Sequence, residues 1–354
     1  MKKVYSLLIG LLALTVVYRF GAGEVRFDQV FTAVTSSAER SLKLVEAKPE
    51  PELKILAFGD MMLGRYVRTL QNKYGEDYVF EKIDLAALGE GMDLVHANLE
   101  GPIRGEGRSG GTAMIFAFNR DVGAFLARHG FDMVSIANNH SLDMGWEGWN
   151  ETKDVLGEAG VGFCGNPSGV SADDVYYGES ESGMSYAFVC LHTALAKLDL
   201  EAAKELIWEL NNQVDQVIVS IHWGAEYKHT ASEKAQVIPA RAFVDSGADL
   251  VIGHHPHVVQ NFEIYNGAPI FYSLGNFVFD QYWAKNVQEE LAVKVAFDED
   301  GVKRVELVPM KSAKSQSRLM TEEEASEWVE RFVGYGKYDE EMEGMIRGFA
   351  IELG

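Results

Sequence analysis

The sequence predicts an α/β domain built around a largely parallel sheet, followed by a helical segment at the carboxyl end. Three observations favour this fold class. Short apolar runs alternate with helical stretches such as "RDVGAFLARHG" and "GWNETKDVLGEAG". Two of these helices end in a glycine, Gly130 and Gly160, as carboxyl-terminal caps often do. Polar side chains follow the apolar runs, as they do at the carboxyl edge of a parallel sheet.

The amino-terminal residues have the pattern of an export segment. "MKK" precedes the apolar run "VYSLLIGLLALTVVY", and Arg19 follows it. This pattern indicates a signal anchor or a cleaved signal peptide over residues 1–23. Because the approach to a cleavage site is poor, we favour an uncleaved anchor with the lysines inside and the body outside. We therefore expect a single-pass protein of the cell membrane, with a secreted protein as the alternative.

Three further segments follow this export segment. Residues 24–52 end in "VEAKPEPE" and combine charge with prolines, which indicates a stalk or linker. The main domain is expected over residues 53–310. Residues 311–354 contain "TEEEASEWVERF", in which a threonine cap and glutamates open a helical pattern. A peripheral helical extension is therefore predicted at the carboxyl end.

The chain is strongly acidic. Its 354 residues include 53 acidic and 32 basic side chains, for a formal net charge of -21. Such a surface repels nucleic acid, so we expect no nucleic-acid partner. An anionic substrate would need a local positive centre, and a metal ion is the simplest one. The two cysteines, Cys164 and Cys190, are either buried apolar residues or one disulfide, and their spacing does not fit a zinc site.

Six apolar runs end in residues that ligate metals or bind anions. "ILAF" runs into "GD", "DLV" into "HANLEG", "MVSIA" into "NNH", "VIVSI" into "HWG", "LVIG" into "HHPH" and "IFYSL" into "GNF". Because the carboxyl ends of parallel strands share one edge, we expect these side chains to converge. The candidate site residues are Asp60, Glu100, Asn139, His140, His222, His255 and His257.

These carboxylates and imidazoles suit divalent Mn, Fe or Zn better than Mg or Ca. One ion could be held, or two that together clamp a phosphoryl group and activate water. A lone histidine is more often structural, and we interpret His96, His129, His192 and His229 in that way. His254 stays ambiguous, because its neighbours have the better spacing.

Several segments together resemble the CapA family of capsule-synthesis proteins, which includes the membrane-anchored subunit of poly-γ-glutamate synthesis systems. The matching segments are "GDMMLGR", "ANLEGPI", "ANNHSLDMG", "HWGAEY", "GADLVIGHHPHVVQ" and "FYSLGNFVFDQ". The resemblance implies a calcineurin-like metallophosphatase fold, a four-layer α/β/β/α sandwich of two sheets between helical layers. It also implies an amino-terminal anchor and an exported domain.

The resemblance implies a role for each matching residue. It places metal ligands at Asp60, Asn139, His222, His255 and His257. It makes His140 the candidate acid beside the scissile group. Two departures from the phosphatase pattern stand out: Met62 replaces a histidine of the first motif, and the bridging aspartate of the second motif is missing. Glu100 is the expected substitute for that aspartate, helped by Asn98.

One more catalytic candidate, Arg65, and three candidates for supporting roles complete the predicted site. Arg65, five residues after Asp60, could bind an anionic oxygen, with a surface role as the alternative. Glu226 and Asp280 are expected to orient histidines, and Asn276 to support the ligands from behind.

Two functions from different classes follow. The first is a metal-dependent hydrolase or transferase in which His140 protonates the leaving group. The second is a non-catalytic anchored subunit that holds an anionic polymer or scaffolds a synthase and exporter. Both serve the biosynthesis of an extracellular polymer, either a capsule or poly-γ-glutamate.

Overall fold

The computed structural model describes residues 52–105, 114–194 and 197–353. The predicted export segment over residues 1–23 lies outside these ranges, as does the predicted linker over 24–52 except for its last residue. Among the described residues, no helix combines the length and the apolar character needed to cross a bilayer.

The described strands form two sheets, and both are mixed rather than largely parallel. The first contains β1 (Leu53–Met61), β2 (Leu94–Leu99), β3 (Met133–Ser135), β4 (Gly162–Cys164), β11 (Asn276–Val278), β12 (Glu289–Asp298), β13 (Gly301–Ala313), β14 (Gln316–Leu319) and β15 (Ala350–Glu352). Its order is β14-β13-β12-β1-β2-β3-β4, with β11 beside β1 and β15 beside β13. The half from β1 to β4 is parallel, and β12, β13 and β14 are antiparallel.

The second sheet has the order β5-β6-β7-β8-β10-β9. Its strands are β5 (Tyr176–Glu179), β6 (Ser185–His192), β7 (Gln216–His222), β8 (Leu250–His254), β9 (Phe262–Tyr265) and β10 (Ala268–Phe271). The four central strands are parallel and the two outer strands are antiparallel to their neighbours. The parallel half of each sheet carries the polar strand ends that the sequence singled out.

Helices lie between the strands, as the alternating pattern predicted. They are α1 (Arg65–Tyr74), α2 (Leu85–Leu88), α3 (Asp121–Arg128), α4 (Gly145–Glu158), α5 (Leu200–Asn211), α6 (Ile238–Asp245), α7 (Glu322–Val333) and α8 (Glu340–Arg347). Side-chain oxygens cap several amino termini; Asp199, for example, accepts from an amide of the first turn of α5.

The core is divided by the alternation of side chains along β1. Leu56 and Phe58 pack with the helices on the outer face of the first sheet, whereas Ile55 and Ala57 pack against the second sheet. A third apolar cluster joins the second sheet to α5 and α6. The sheets therefore face each other, with helices against the outer face of each. Each large apolar side chain buried in this way contributes about 1.5–3 kcal/mol.

Residues 311–354, expected to form a peripheral helical extension, contribute strands as well as helices. β14 and β15 both pair with β13. Trp328 and Phe332 of α7 are buried in the cluster between the sheets. The segment is therefore part of the sheet and the core, because its apolar helix face covers surface that the strands leave open.

Of the two alternatives for the cysteines, the structure has the disulfide. Cys164 at the end of β4 is bonded to Cys190 of β6, with Cα atoms 5.3 Å apart. Since the two strands belong to different sheets, the bond links the sheets directly. Both cysteines are also buried.

A change of partner near the end of β1 sets the position of the first site residue. The early residues of β1 pair with β12, whereas Asp60 lies in register with Asn276 of β11 and Asn98 of β2. Gly59 permits this change, because a Cβ there would lie 2.0 Å from the carbonyl oxygen of Gly275. The Asp60 amide donates to that same oxygen at 2.9 Å.

Candidate metal centre

The strand ends of both sheets meet at one buried polar cluster. Asp60 and Asn98 are the penultimate residues of β1 and β2, and Glu100 directly follows β2, while His222 ends β7 and His254 ends β8. The side chains of all five are buried. The parallel halves of the two sheets thus bring together residues that lie far apart in the sequence.

Asp60 is the most connected carboxylate of the cluster. Asn98 Nδ2 donates to Asp60 Oδ1 at 2.8 Å, and the His255 amide donates to Oδ2 at 3.1 Å. The Nδ1 atom of His257 lies 3.3 Å from Oδ2. Burial acts to raise the pKa of Asp60, but the hydrogen bond and charge of His257, with His254 and Asn98, lower it below its usual value. Asp60 is therefore held as an anion.

Glu100 is buried without a hydrogen-bond partner on either carboxylate oxygen among the described residues. Its Oε1 lies 3.7 Å from His257 Nε2 and 3.8 Å from His140 Nε2. Burial raises the pKa of Glu100 well above its usual value; His257 opposes this, and Asp60 and other nearby carboxylates add to it. A buried carboxylate whose oxygens have no hydrogen-bond partner is costly, and a bound proton or cation would stabilise it.

Two groups of side chains have the donor set and spacing to hold a cation. They are Asp60, Glu100 and His257, and Glu226, His255 and His257. Within each group the ligand atoms lie within 4.8 Å of one another. Oxygen and imidazole donors of this kind fit Mn, Fe or Zn. His257 belongs to both groups, so two ions held here would be neighbours.

The loop after β8 has a left-handed backbone at both of its ligand candidates. The φ angle is 93° at His255 and 56° at His257, in a region that residues with a side chain rarely adopt. Such a conformation costs about 1–3 kcal/mol per residue and persists only where surrounding contacts impose it. Here the hydrogen bond from the His255 amide to Asp60 is one such contact.

His257 and His255 have opposite protonation tendencies. Burial acts to lower the pKa of His257, but Glu100 and Asp60 raise it to about 9. Burial and the neighbouring His257 lower the pKa of His255 to about 4. Asn276, expected to support the ligands, has its Oδ1 3.0 Å from His257 Nδ1 and donates to a backbone carbonyl from Nδ2. Its amide therefore fixes the orientation of the His257 ring.

Asn139 and His222 contact each other, as two ligands of a common ion would. His222 Nε2 donates to Asn139 Oδ1 at 2.7 Å, and Asn98 Nδ2 donates to His222 Nδ1 at 3.2 Å. Burial, followed by the nearby histidines, lowers the pKa of His222 well below its usual value. His222 is therefore neutral, the form in which imidazole binds metals.

His140 is oriented by a residue that the sequence analysis missed. Its Nδ1 donates to Asp143 Oδ2 at 2.7 Å, and its ring stacks on Phe116 with centroids 3.8 Å apart. The Phe116 amide donates to the same oxygen at 2.6 Å. These contacts leave His140 Nε2 facing Glu100. The available signal was an aspartate three residues after the histidine, in "HSLD".

Arg65 and Asp280 form a pair with each other, which corrects the role predicted for Asp280. Arg65 donates from two nitrogens to the two carboxylate oxygens at 3.1 and 2.7 Å, and the Tyr66 amide also donates to Asp280. Asp280 is thus bound to a guanidinium and not to a histidine. The Arg65 guanidinium also lies 5.3 Å from the ring centre of Phe116, so it supports the ring on which His140 stacks.

The structure also gives positions for His254, which the sequence left ambiguous, and for Met62, which replaces a histidine of the first motif. His254 Nδ1 lies 3.6 Å from Asp60 Oδ1, and both of its buried ring nitrogens lack a hydrogen bond among the described residues. Burial lowers the pKa of His254 to about 4. Met62 packs in the core of the first sheet, and its sulfur accepts from the Gly64 amide. The thioether therefore fills a core position.

Fold and site together define an α/β protein of two facing sheets with a carboxylate–imidazole cluster at its strand ends. The chain belongs to the family described as bacterial capsule synthesis protein PGA_cap, which matches residues 54–281. This confirms the resemblance carried by the sequence motifs.

Curated relatives agree with this membership. The capsule biosynthesis protein CapA of Bacillus anthracis is 28% identical over 78% of this chain and 72% of its own length. The PGA biosynthesis protein CapA of Bacillus subtilis (strain 168) is 31% identical over 71% of this chain and 70% of its own length. A solved structure of a hypothetical protein from Thermus thermophilus matches with a TM-score of 0.49 and 17% identity, covering 74% of this chain and 100% of that one.

Proposed function

We propose that this protein is an exported component of capsule or poly-γ-glutamate biosynthesis whose domain is a calcineurin-like metallophosphatase fold with metal-dependent hydrolase activity. One observation carries the proposal: Glu100 is buried beside Asp60 and His257, and neither of its carboxylate oxygens has a hydrogen-bond partner among the described residues. Membership in a capsule-synthesis family supports the biological setting.

The donors present fit one or two divalent ions. Asp60, Glu100 and His257 would hold the first, and Glu226 and His255 would hold a second together with His257. Asn139 and His222, which contact each other beside Asn98, would be further ligands. A bound divalent ion would act as a Lewis acid toward the substrate and would activate water.

The protein's own groups supply the proton. Asp143 holds His140 by Nδ1, so that Nε2 is directed into the cluster, where it can protonate a leaving group. Phe116 fixes the plane of the imidazole, and Arg65 fixes Phe116. The substrate bond would be a phosphoester or an amide.

A second function is a non-catalytic subunit that holds the polymer or scaffolds a synthase and exporter. The position of Met62 favours it, because a core thioether stands where active phosphatases have a ligand histidine. Both functions place the domain outside the cell, anchored through residues 1–23 and separated from the membrane by residues 24–52. The Cys164–Cys190 disulfide supports this location, since disulfides persist in oxidising compartments.

The test is metal content and hydrolysis measured on the full-length chain purified in detergent. Wild type is expected to retain Mn, Fe or Zn by elemental analysis and to hydrolyse a generic phosphodiester or phosphomonoester with Mn²⁺. His257→Ala should lose both the metal and the activity. His129→Ala is the matched control, because His129 pairs with Asp77 on the surface. Metal without turnover on any substrate would favour the non-catalytic subunit, and a metal-free wild type would end the proposal.

A further inference from the structure

Two exposed aromatic side chains lie beside the candidate metal centre. Trp283 is 61% exposed and Tyr227 is 36% exposed. Their rings lie 4.7 Å apart at 86°, so they form an aromatic corner (Tyr227 and Trp283). Large aromatic side chains exposed together in this way are typical of binding surfaces, where they provide contact area at little entropic cost.

The aromatic corner is continuous with the metal centre. Tyr227 directly follows Glu226, and its ring lies 6.2 Å from the ring of His257. Its backbone is left-handed, with φ at 65°, and its amide donates to the Pro256 carbonyl at 2.8 Å. The Tyr227 hydroxyl accepts from Gln281 Nε2 at 3.3 Å. These contacts hold the backbone and the hydroxyl of Tyr227, so the surrounding structure imposes the position of the exposed ring.

The residues before Trp283 are tied to the body of the protein. Asp280 binds Arg65, and Gln281 accepts from Asn276 Nδ2 at 3.2 Å. The Tyr282 hydroxyl forms a hydrogen bond of 2.5 Å with Ser315 Oγ. These contacts anchor the segment from three directions and leave the Trp283 ring presented to solvent beside Tyr227.

Two lysines lie within two residues of the aromatic corner in the chain. Lys228 follows Tyr227 and is exposed, and the ion pairs of the described residues do not include it. The Lys285 side chain is 62% exposed and lies 3.5 Å from Glu289. On a chain with a net charge of -21, cations at this place lower the local repulsion that an anionic ligand meets.

We propose that the aromatic corner is a subsite for a polyamide chain that bears carboxylates, an inference that rests on the proposed function. The two rings would contact the methylene and amide faces of the chain, and the lysines would pair with its carboxylates. The next unit of the chain would then reach the metal centre past His257. A neutral glycan could stack on the same rings, but it would gain nothing from the lysines.

The experiment measures binding of a poly-γ-glutamate oligomer of defined length to the full-length chain by calorimetry. Trp283→Ala is expected to raise the Kd at least tenfold, and Trp283→Phe to restore most of the affinity. Trp208→Ala is the matched control, since Trp208 is also 61% exposed but lies on α5; its Kd should stay within about twofold of wild type. The double variant Lys228→Glu/Lys285→Glu should weaken binding and flatten its dependence on salt.

Three outcomes would overturn the inference: wild type that does not bind the oligomer, Trp283→Ala that binds like wild type, or dextran that binds as tightly as the oligomer. Metal content, measured on the same samples, separates this inference from the proposed function. Wild type that holds metal but ignores the oligomer refutes the subsite alone. Trp283-dependent binding by metal-free protein supports the subsite and refutes the metal centre.

Discussion

Replacing Gly59 with alanine should destabilise the fold at the point where β1 changes partners. The added Cβ would lie 2.0 Å from the Gly275 carbonyl oxygen and 2.9 Å from its carbon, both of which are backbone atoms that cannot rotate away. Separating the strands costs about 1–3 kcal/mol as overpacking. It also strains the 2.9 Å hydrogen bond from Asp60 to Gly275, worth about 1 kcal/mol. The free energy of unfolding should therefore fall by about 2–4 kcal/mol.

Urea denaturation with linear extrapolation measures this loss. Gly157→Ala is the matched control, because Gly157 lies in α4 and an added Cβ meets nothing within 4 Å. That variant should gain up to about 1 kcal/mol from helix propensity. Because Asp60 adjoins the altered residue, Gly59→Ala should also hold less metal. Equal unfolding free energies for Gly59→Ala and wild type would refute the reasoning about strand spacing.

Three further predictions concern pH, catalysis and the cysteines. Burial raises the pKa of Asp249 to about 6, because the folded state favours the neutral carboxyl. The contribution of this carboxyl to folding stability is therefore complete below its ordinary pKa of 3.8 and is lost as the pH rises through 6. At pH 8 the free energy of unfolding of Asp249→Asn, measured by urea denaturation, should therefore exceed that of wild type by up to about 3 kcal/mol. At pH 3.5 the two free energies should be equal. Asp143→Asn should lower kcat about 100-fold without removing metal, since His140 loses its orienting partner. Thiol titration in denaturant should find free thiols only after reduction, and replacing Cys164 and Cys190 with alanine should cost about 3 kcal/mol.

Each of these predictions has an outcome that contradicts it. A stability gain in Asp249→Asn that is the same at pH 3.5 and pH 8 would show that charge is not the cause. Loss of metal from Asp143→Asn would make that residue part of the metal cluster itself. Two free thiols before reduction would restore the alternative of buried, unpaired cysteines.

The sequence was sufficient to predict that polar residues would gather at the strand ends. Because ligands bind at the carboxyl ends of parallel strands, the sequence placed Asp60, Glu100, His222 and His257 at such strand ends. That these strand ends belong to two facing sheets was decided by the tertiary structure. The motif segments also carried the family, because they keep their order over residues 54–281. These conclusions depend on local pattern and chain order, which a sequence contains explicitly.

The sequence did not predict the contacts between side chains within the cluster. The pair of Arg65 and Asp280 depends on how segments far apart in the chain pack together. The contact of His140 with Asp143 is local, but it depends on the conformation of one loop, which the Phe116 amide helps to hold. The apolar pattern of residues 311–354 likewise indicated helices but not the strands that join β13. Pairing of this kind is decided by partners distant in the chain.

The sequence by itself determined which residue types stand at the carboxyl ends of the strands, and therefore the family and the class of site. Only the tertiary structure decided which donors share a ligand position, which carboxylate lacks a partner among the described residues, and which aromatic rings face solvent. The physical reason is that strand periodicity is local, whereas ring orientation, burial and left-handed loop backbone are imposed by contacts between segments that the chain order does not specify.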